Sequence, residues 1–189
     1  GIQLSGLGNV TQGHSTGLFV AGLGNVSEGG LGGAQFSFLG NVSTGKTWGL
    51  QLSGLGNVIS GGSNVVAQTT LLGNVSDGDL WGSQFSFLGN VVDGRVRGIQ
   101  WGALANVASE DLTGVQLGTV ANVAAGGGWM MQFAGVANVA ERVNGFQVSG
   151  VANVAERTHG IQVSLVANAA GELGGIQLGL VNGITGEIS

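Results

Sequence analysis

The stretch from Gly33 to Trp48 reads GAQFSFLGNVSTGKTW, and the chain continues from Gly49 to Val58 as GLQLSGLGNV. The two segments align without a gap, Gln35 on Gln51, Leu39 on Leu55 and Asn41 on Asn57. Such a fixed period marks a repeat architecture, in which each unit buries its surface against its neighbours. Extended both ways, the same frame divides all 189 residues into twelve units. They begin at Gly1, Gly17, Gly33, Gly49, Val66, Gly82, Gly98, Gly114, Met130, Gly145, Gly160 and Gly175. Most have 16 residues, the last four have 15, and Val65 reads as one extra residue. The repeats form a single domain over residues 1–189, with no stretch left for a second.

The columns of the repeat carry more than the rows. The third position is Gln in eleven units: Gln3, Gln35, Gln51, Gln68, Gln84, Gln100, Gln116, Gln132, Gln147, Gln162 and Gln177. Phe19 takes that place in the second unit. Apolar residues flank it, as in Ile2/Leu4, Leu50/Leu52, Ile99/Trp101 and Phe146/Val148. The fifth position is small, the seventh is Leu or Val, and the eighth, where present, is Gly or Ala. Asn follows in all twelve units: Asn9, Asn25, Asn41, Asn57, Asn74, Asn90, Asn106, Asn122, Asn138, Asn153, Asn168 and Asn182. Beyond it the columns lose identity, and every charged residue falls in the last few positions of a unit. An apolar spacing of two, with abundant glycine, predicts β-strands ending in variable turns.

Two architectures satisfy this pattern. In the first, an all-β solenoid, each unit is one coil, and twelve coils of 15–16 residues stack in parallel and in register about 4.8 Å apart. Identical residues then superpose, which gives the strict Asn column a purpose as a buried hydrogen-bonded ladder. On this reading positions two, four, seven and ten form the core, and the Gly or Ala before Asn is a corner. The Gln and small-residue columns then form a flat outer face, a candidate interaction surface for a polysaccharide, ice or another solenoid. The second is a twelve-stranded antiparallel transmembrane barrel. It would put Ile2, Leu4, Gly6, Gly8 and Val10 outside and Gln3, Ser5 and Asn9 inside, lining a pore. Antiparallel neighbours would not set Gln beside Gln, turn lengths do not alternate as in outer-membrane barrels, and tyrosine is absent.

The last unit, Gly175 to Asn182, reads GIQLGLVN. It resembles the GxQxGLVN repeats of the Leptospira-type surface repeat proteins of bacteria, also seen in myxobacteria and Bacteroidetes. Gly145 to Asn153 and Gly160 to Asn168 are similar, with one residue inserted before Asn. The first six units depart from it, with Leu-Gly-Asn in place of Leu-Val-Asn. The resemblance implies a bacterial surface or outer-membrane setting and supplies no catalytic residue.

Composition narrows the function. The chain has 40 glycines, no proline or cysteine, five basic and ten acidic residues, and a net charge of −5. Disulfide, thiol and cysteine–zinc chemistry are excluded, and five basic residues do not make a nucleic-acid surface. No run of 18 apolar residues predicts a membrane-spanning helix. No basic, then apolar leader opens the chain, and a start at Gly1 without Met reads as a processed or excised segment. Both end coils look uncapped, an invitation to a further domain or to end-to-end stacking.

Several strings imitate chemistry. Gly40 to Thr47 matches the phosphate-binding pattern G-x-x-x-x-G-K-[ST], but that loop must open a helix, and here the next β unit follows. Asp77, Asp79 and Asp93 offer oxygen ligands for Ca²⁺, yet no acidic column repeats as calcium-binding solenoids demand. Glu141-Arg142 and Glu156-Arg157 should stack as weak surface pairs. His14 and His159 lie ten units apart, too far to share a metal or a triad. Asn9, Asn25, Asn41 and Asn74 stand in glycosylation sequons, but their column reads as buried. The expectation is therefore a non-enzymatic structural or fibre-forming protein of a bacterial envelope. It needs no cofactor, metal or small-molecule substrate, and its expected partner is itself or a larger assembly, with membrane association the other option.

Overall fold

A computed structural model describes residues 1–188. Each repeat unit makes one coil of two strands. Thr47–Ser53 carries the Gln column and Gly56–Ser60 the Asn column. Thr47–Ser53 pairs in parallel with Leu31–Ser37 below and Asn64–Thr70 above. The Asn strands do the same, with Asn74 beside Asn57 and Asn90. Like residues meet throughout, Gln84 with Gln68 and Gln100, and Asn106 with Asn90 and Asn122. The result is a β-solenoid with a Gln sheet and an Asn sheet back to back. It is not a barrel, because each coil pairs in parallel with the next rather than antiparallel.

Two edges join the sheets. One is the two-residue turn Leu23, Leu39, Leu55 and their equivalents, called here the leucine edge. Its backbone is paired coil to coil: Leu39 N donates to the Leu23 carbonyl at 2.9 Å, and Leu55 N to the Leu39 carbonyl at 2.8 Å. The other edge holds the charged residues. From Ala121 to Ser164 the strands run unbroken around that edge, as Ala121–Ala134, Ala137–Ser149 and Ala152–Ser164, and the last coil breaks there again between Leu173 and Ile176. The residue that shortens the later units is lost there, between Ala124 and Gly127.

The inside of the coil reverses the apolar-core expectation. Gln51, Gln84, Asn57 and Asn90 have no exposed surface, whereas Leu55, Val75 and Val91 are more than 40% exposed. The reason is the period of two. In Gly40–Thr44, Asn41 and Ser43 point inward, so Val42 must point out. In Val96–Gly102, Gln100 points inward, so Ile99 and Trp101 face solvent. Burying the amides is tolerable because a copy above and a copy below supply their partners. The apolar core proper is a strip beside the charged edge, containing Ile59, Leu80, Val92, Val96, Ala108 and Leu112. In the early coils hydroxyls share this strip with the buried Leu31, and Ser43 Oγ lies 2.7 Å from Thr47 Oγ1.

Two smaller expectations also change. The corner that calls for glycine is the first residue of the unit, not the Gly before Asn, although Val66 and Met130 take that place in two coils with their side chains buried. Gly49 and Gly98 have φ of +128° and +146°, and a Cβ on either would lie 1.8 Å from the carbonyl oxygen one coil below. The position before Asn begins a strand, and Ala105 and Ala121 occupy it without difficulty. Val65 is not the extra residue, since it sits in register between Trp48 and Trp81. The insertion is absorbed in the turn at Gly61-Gly62-Ser63, where Gly61 and Gly62 both have positive φ.

Candidate functional site

The two amide ladders are the best-defined side-chain arrays in the molecule. Asn90 Nδ2 donates to Asn106 Oδ1 at 2.9 Å and to the Trp101 carbonyl at 2.7 Å, one coil on. Asn74 Nδ2 in turn donates to Asn90 Oδ1 at 2.9 Å. The pattern holds from Asn9 to Asn182. In the Gln column the sense is opposite. Gln84 Nε2 donates back to Gln68 Oε1 at 2.7 Å, and Gln100 Nε2 back to Gln84 Oε1 at 3.1 Å. Phe19 interrupts this column and is itself buried, so the continuous Gln ladder starts at Gln35.

This placement corrects the expected Gln interaction face. From Gln35 to Gln162 the side chains lie inside the coil, and from Gln51 onward both amide atoms are engaged by their copies, so no outside surface can meet them. Gln177 is half-buried, and only Gln3 is exposed. The small fifth column also points inward, and the hydroxyls of Ser37, Ser53, Thr70, Ser86, Ser149 and Ser164 have no hydrogen-bond partner.

The chemistry-like strings resolve into local structure. Gly40 to Thr47 runs strand, turn, strand, and Thr47 is fully buried. Asp79 is taken by Arg95 of the next coil, which donates from Nη2 to Oδ2 at 2.7 Å and from Nε to Oδ1 at 3.2 Å. That side-chain hydrogen bond, aided by a bond from the Arg95 backbone, holds the Asp79 carboxyl below its ordinary range. Asp93 accepts from Ser109 Oγ at 2.7 Å. Arg142 stacks on Arg157 in register and pairs with Glu141 of its own coil at 3.1 Å, so like residues superpose and the ion pair lies within a coil. The sequon asparagines Asn25, Asn41 and Asn74 are buried.

What remains is the outer surface, built from the apolar columns expected in the core. Three sides of the coil are apolar. On the Gln sheet, Ile99, Trp101, Met131, Phe133 and Phe146 are exposed. Phe38 and Leu71, at the leucine edge, are 74% and 65% exposed. On the Asn sheet a valine column, Val58, Val75, Val91, Val139 and Val154, faces out. All 15 charged residues lie on or beside the fourth side. Trp48, Trp81 and Trp129 occupy one outward column of the Gln sheet, at the border between the charged edge and the apolar columns. Arg97 follows Trp81 in that column, with its guanidinium 4.4 Å from the ring centroid, a cation–π contact. The twelve coils span roughly 55 Å at strand spacing, so each face is about 55 Å by 13 Å. That exceeds the ~300–600 Å² of the largest apolar patch on an ordinary monomer. The pattern was legible in the strand alternation, and the barrel reading had its parity right. No protein-family model, curated protein or solved structure matches this chain.

Proposed function

We propose that the chain is a non-enzymatic structural rod of a bacterial envelope, and that it works by laying its outer surface against an apolar partner. The carrying observation is the segregation around the coil: apolar columns on both sheets and the leucine edge, all charge on the opposite side. A surface of this size, repeated coil after coil, is costly in water. Its persistence along the whole rod supports a use for it as a surface rather than as a pocket. The resemblance of Gly175 to Asn182 to bacterial surface repeats supports the envelope setting.

The test compares the wild type with a variant carrying Leu52→Thr, Phe85→Thr, Trp101→Thr and Leu117→Thr, all outward on the Gln sheet. The wild type should enhance the fluorescence of an apolar dye and be retained on a phenyl matrix. The variant should do both at least several-fold less while keeping its β circular dichroism. A wild type that neither binds the dye nor is retained would overturn the reading.

A further inference from the structure

We infer that the apolar partner is a lipid leaflet, entered edge-on by the leucine edge, with the charged edge left at the headgroups. This rests on the reading just given and names its partner. Four independent features of the molecule point to it.

The first is geometry. A second copy packed on one face would leave the other face and the leucine edge in water. A leaflet covers all three apolar sides together. The second is depth. From the leucine edge to the second position of the unit is four residues of strand, about 13 Å at the usual rise. The hydrocarbon of one leaflet is about 15 Å deep, half of a ~30 Å core. The apolar band is therefore one leaflet deep, too short to span and well matched to lie in the interface.

The third feature is the backbone. Hydrocarbon admits only chain segments whose N–H and C=O groups are satisfied internally. An ordinary turn fails that condition. Here the edge turn is itself laddered: Leu88 N donates to the Leu72 carbonyl at 3.0 Å, Leu104 N to Leu88 at 2.8 Å, and Val120 N to Leu104 at 2.9 Å. The strands on either side are paired in the same direction. Between the two end coils, a coil-to-coil bonded turn of leucine can be immersed without orphaned backbone groups. The fourth is the tryptophan column. Trp48, Trp81 and Trp129 sit where the apolar columns end and the charges begin, the level that amphipathic rings take at a membrane surface. Trp101 lies four residues nearer the leucine edge than that column, in the expected acyl region.

Charge sets the lipid class. With ten acidic and five basic residues the rod gains nothing from an anionic surface. Burial of apolar area drives the contact, so neutral phosphatidylcholine vesicles should suffice and added salt should not release the protein.

The experiment uses the full chain, kept in mild detergent and diluted into phosphatidylcholine vesicles, and reads co-flotation. Two single-tryptophan forms report depth. One retains Trp101 (Trp48→Phe, Trp81→Phe, Trp129→Phe) and the other retains Trp81 (Trp48→Phe, Trp101→Phe, Trp129→Phe). Lipids brominated at successive acyl positions should quench Trp101 best from deep positions and Trp81 best from shallow ones. A third form, with Leu39→Ser, Leu55→Ser, Leu72→Ser and Leu88→Ser, alters only outward side chains and should float at least tenfold less. Its circular dichroism verifies that it folds. Equal quenching depths for the two tryptophans would overturn edge-on insertion. So would failure of the wild type to float while it forms larger species with rising concentration. That outcome makes a second copy the occupant and leaves the structural-rod reading standing. A wild type that stays monomeric without detergent and ignores vesicles overturns both.

Discussion

Within one strand of five residues, Gly89–Asp93, inside and outside alternate side chain by side chain. Asn90 is buried and engages Asn74, Asn106 and the Trp101 carbonyl, while the adjacent Val91 faces out, 41% exposed. Removing the Asn90 amide takes the donor from Asn106 Oδ1 and the acceptor from Asn74 Nδ2 in a place without an outside donor to replace them. Asn90→Ala is therefore expected to cost about 2–3 kcal/mol, the penalty of unsatisfied buried polar groups. Val91→Thr, one residue away, should stay within about 0.5 kcal/mol, as exposed substitutions do. Denaturant melts of the two variants check the assignment. Equal costs would mean that the inside and outside of this strand are misassigned.

At the scale of the element, the strands tolerate no shift and the charged-edge turns do. Sliding a Gln strand by one residue would put Gln outside and Leu or Trp inside along its whole length. The turn at Gly61-Gly62-Ser63 already holds one residue more than its neighbours, yet Asn57 still meets Asn74 and Gln51 still meets Gln68. Deleting Gly62 should restore the sixteen-residue period at a change of less than about 1 kcal/mol, as for other short surface loops. Deleting Ser83, within the strand Leu80–Ser86, should abolish cooperative unfolding. Thermal melts followed by circular dichroism distinguish the two.

For the whole molecule, stability is a sum over coil–coil interfaces, and charge enters only along one edge. The Asp79–Arg95 pair is its best-formed ionic contact. Because the Asp79 carboxyl titrates lower in the folded chain than in the unfolded one, its contribution is present above the ordinary carboxylate range. It fades as pH falls through the folded value. Arg95 remains charged throughout, since Asp79 raises it further. Melting wild type and Asp79→Asn from pH 7 to pH 2 should show a small gap at neutral pH that closes at the acid end. A gap that widens with acid would contradict the sign of the shift.

Sequence alone established the repeat, its frame and the β character of each unit, and its columns favoured parallel stacking over the antiparallel barrel that the alternation also satisfied. A column of identical Asn is useful only if copies superpose. It also placed Asn9 to Asn182 in a ladder. It did not determine which parity faces inward. Alternation defines two sets of residues and is silent on their orientation, and the usual rule that the apolar set is buried gave the wrong answer here. Asn41 and Val42 cannot share a side of one strand, so burying the Asn column obliged the valine column to face out. The turn at Phe38-Leu39 then decides whether Gln35 shares the inside with Asn41. Its backbone geometry, fixed by bonds to the coils above and below, brings both amide columns into one interior. That is a property of the stack and of no single unit, which is why only the tertiary structure turned the expected core into the outer surface.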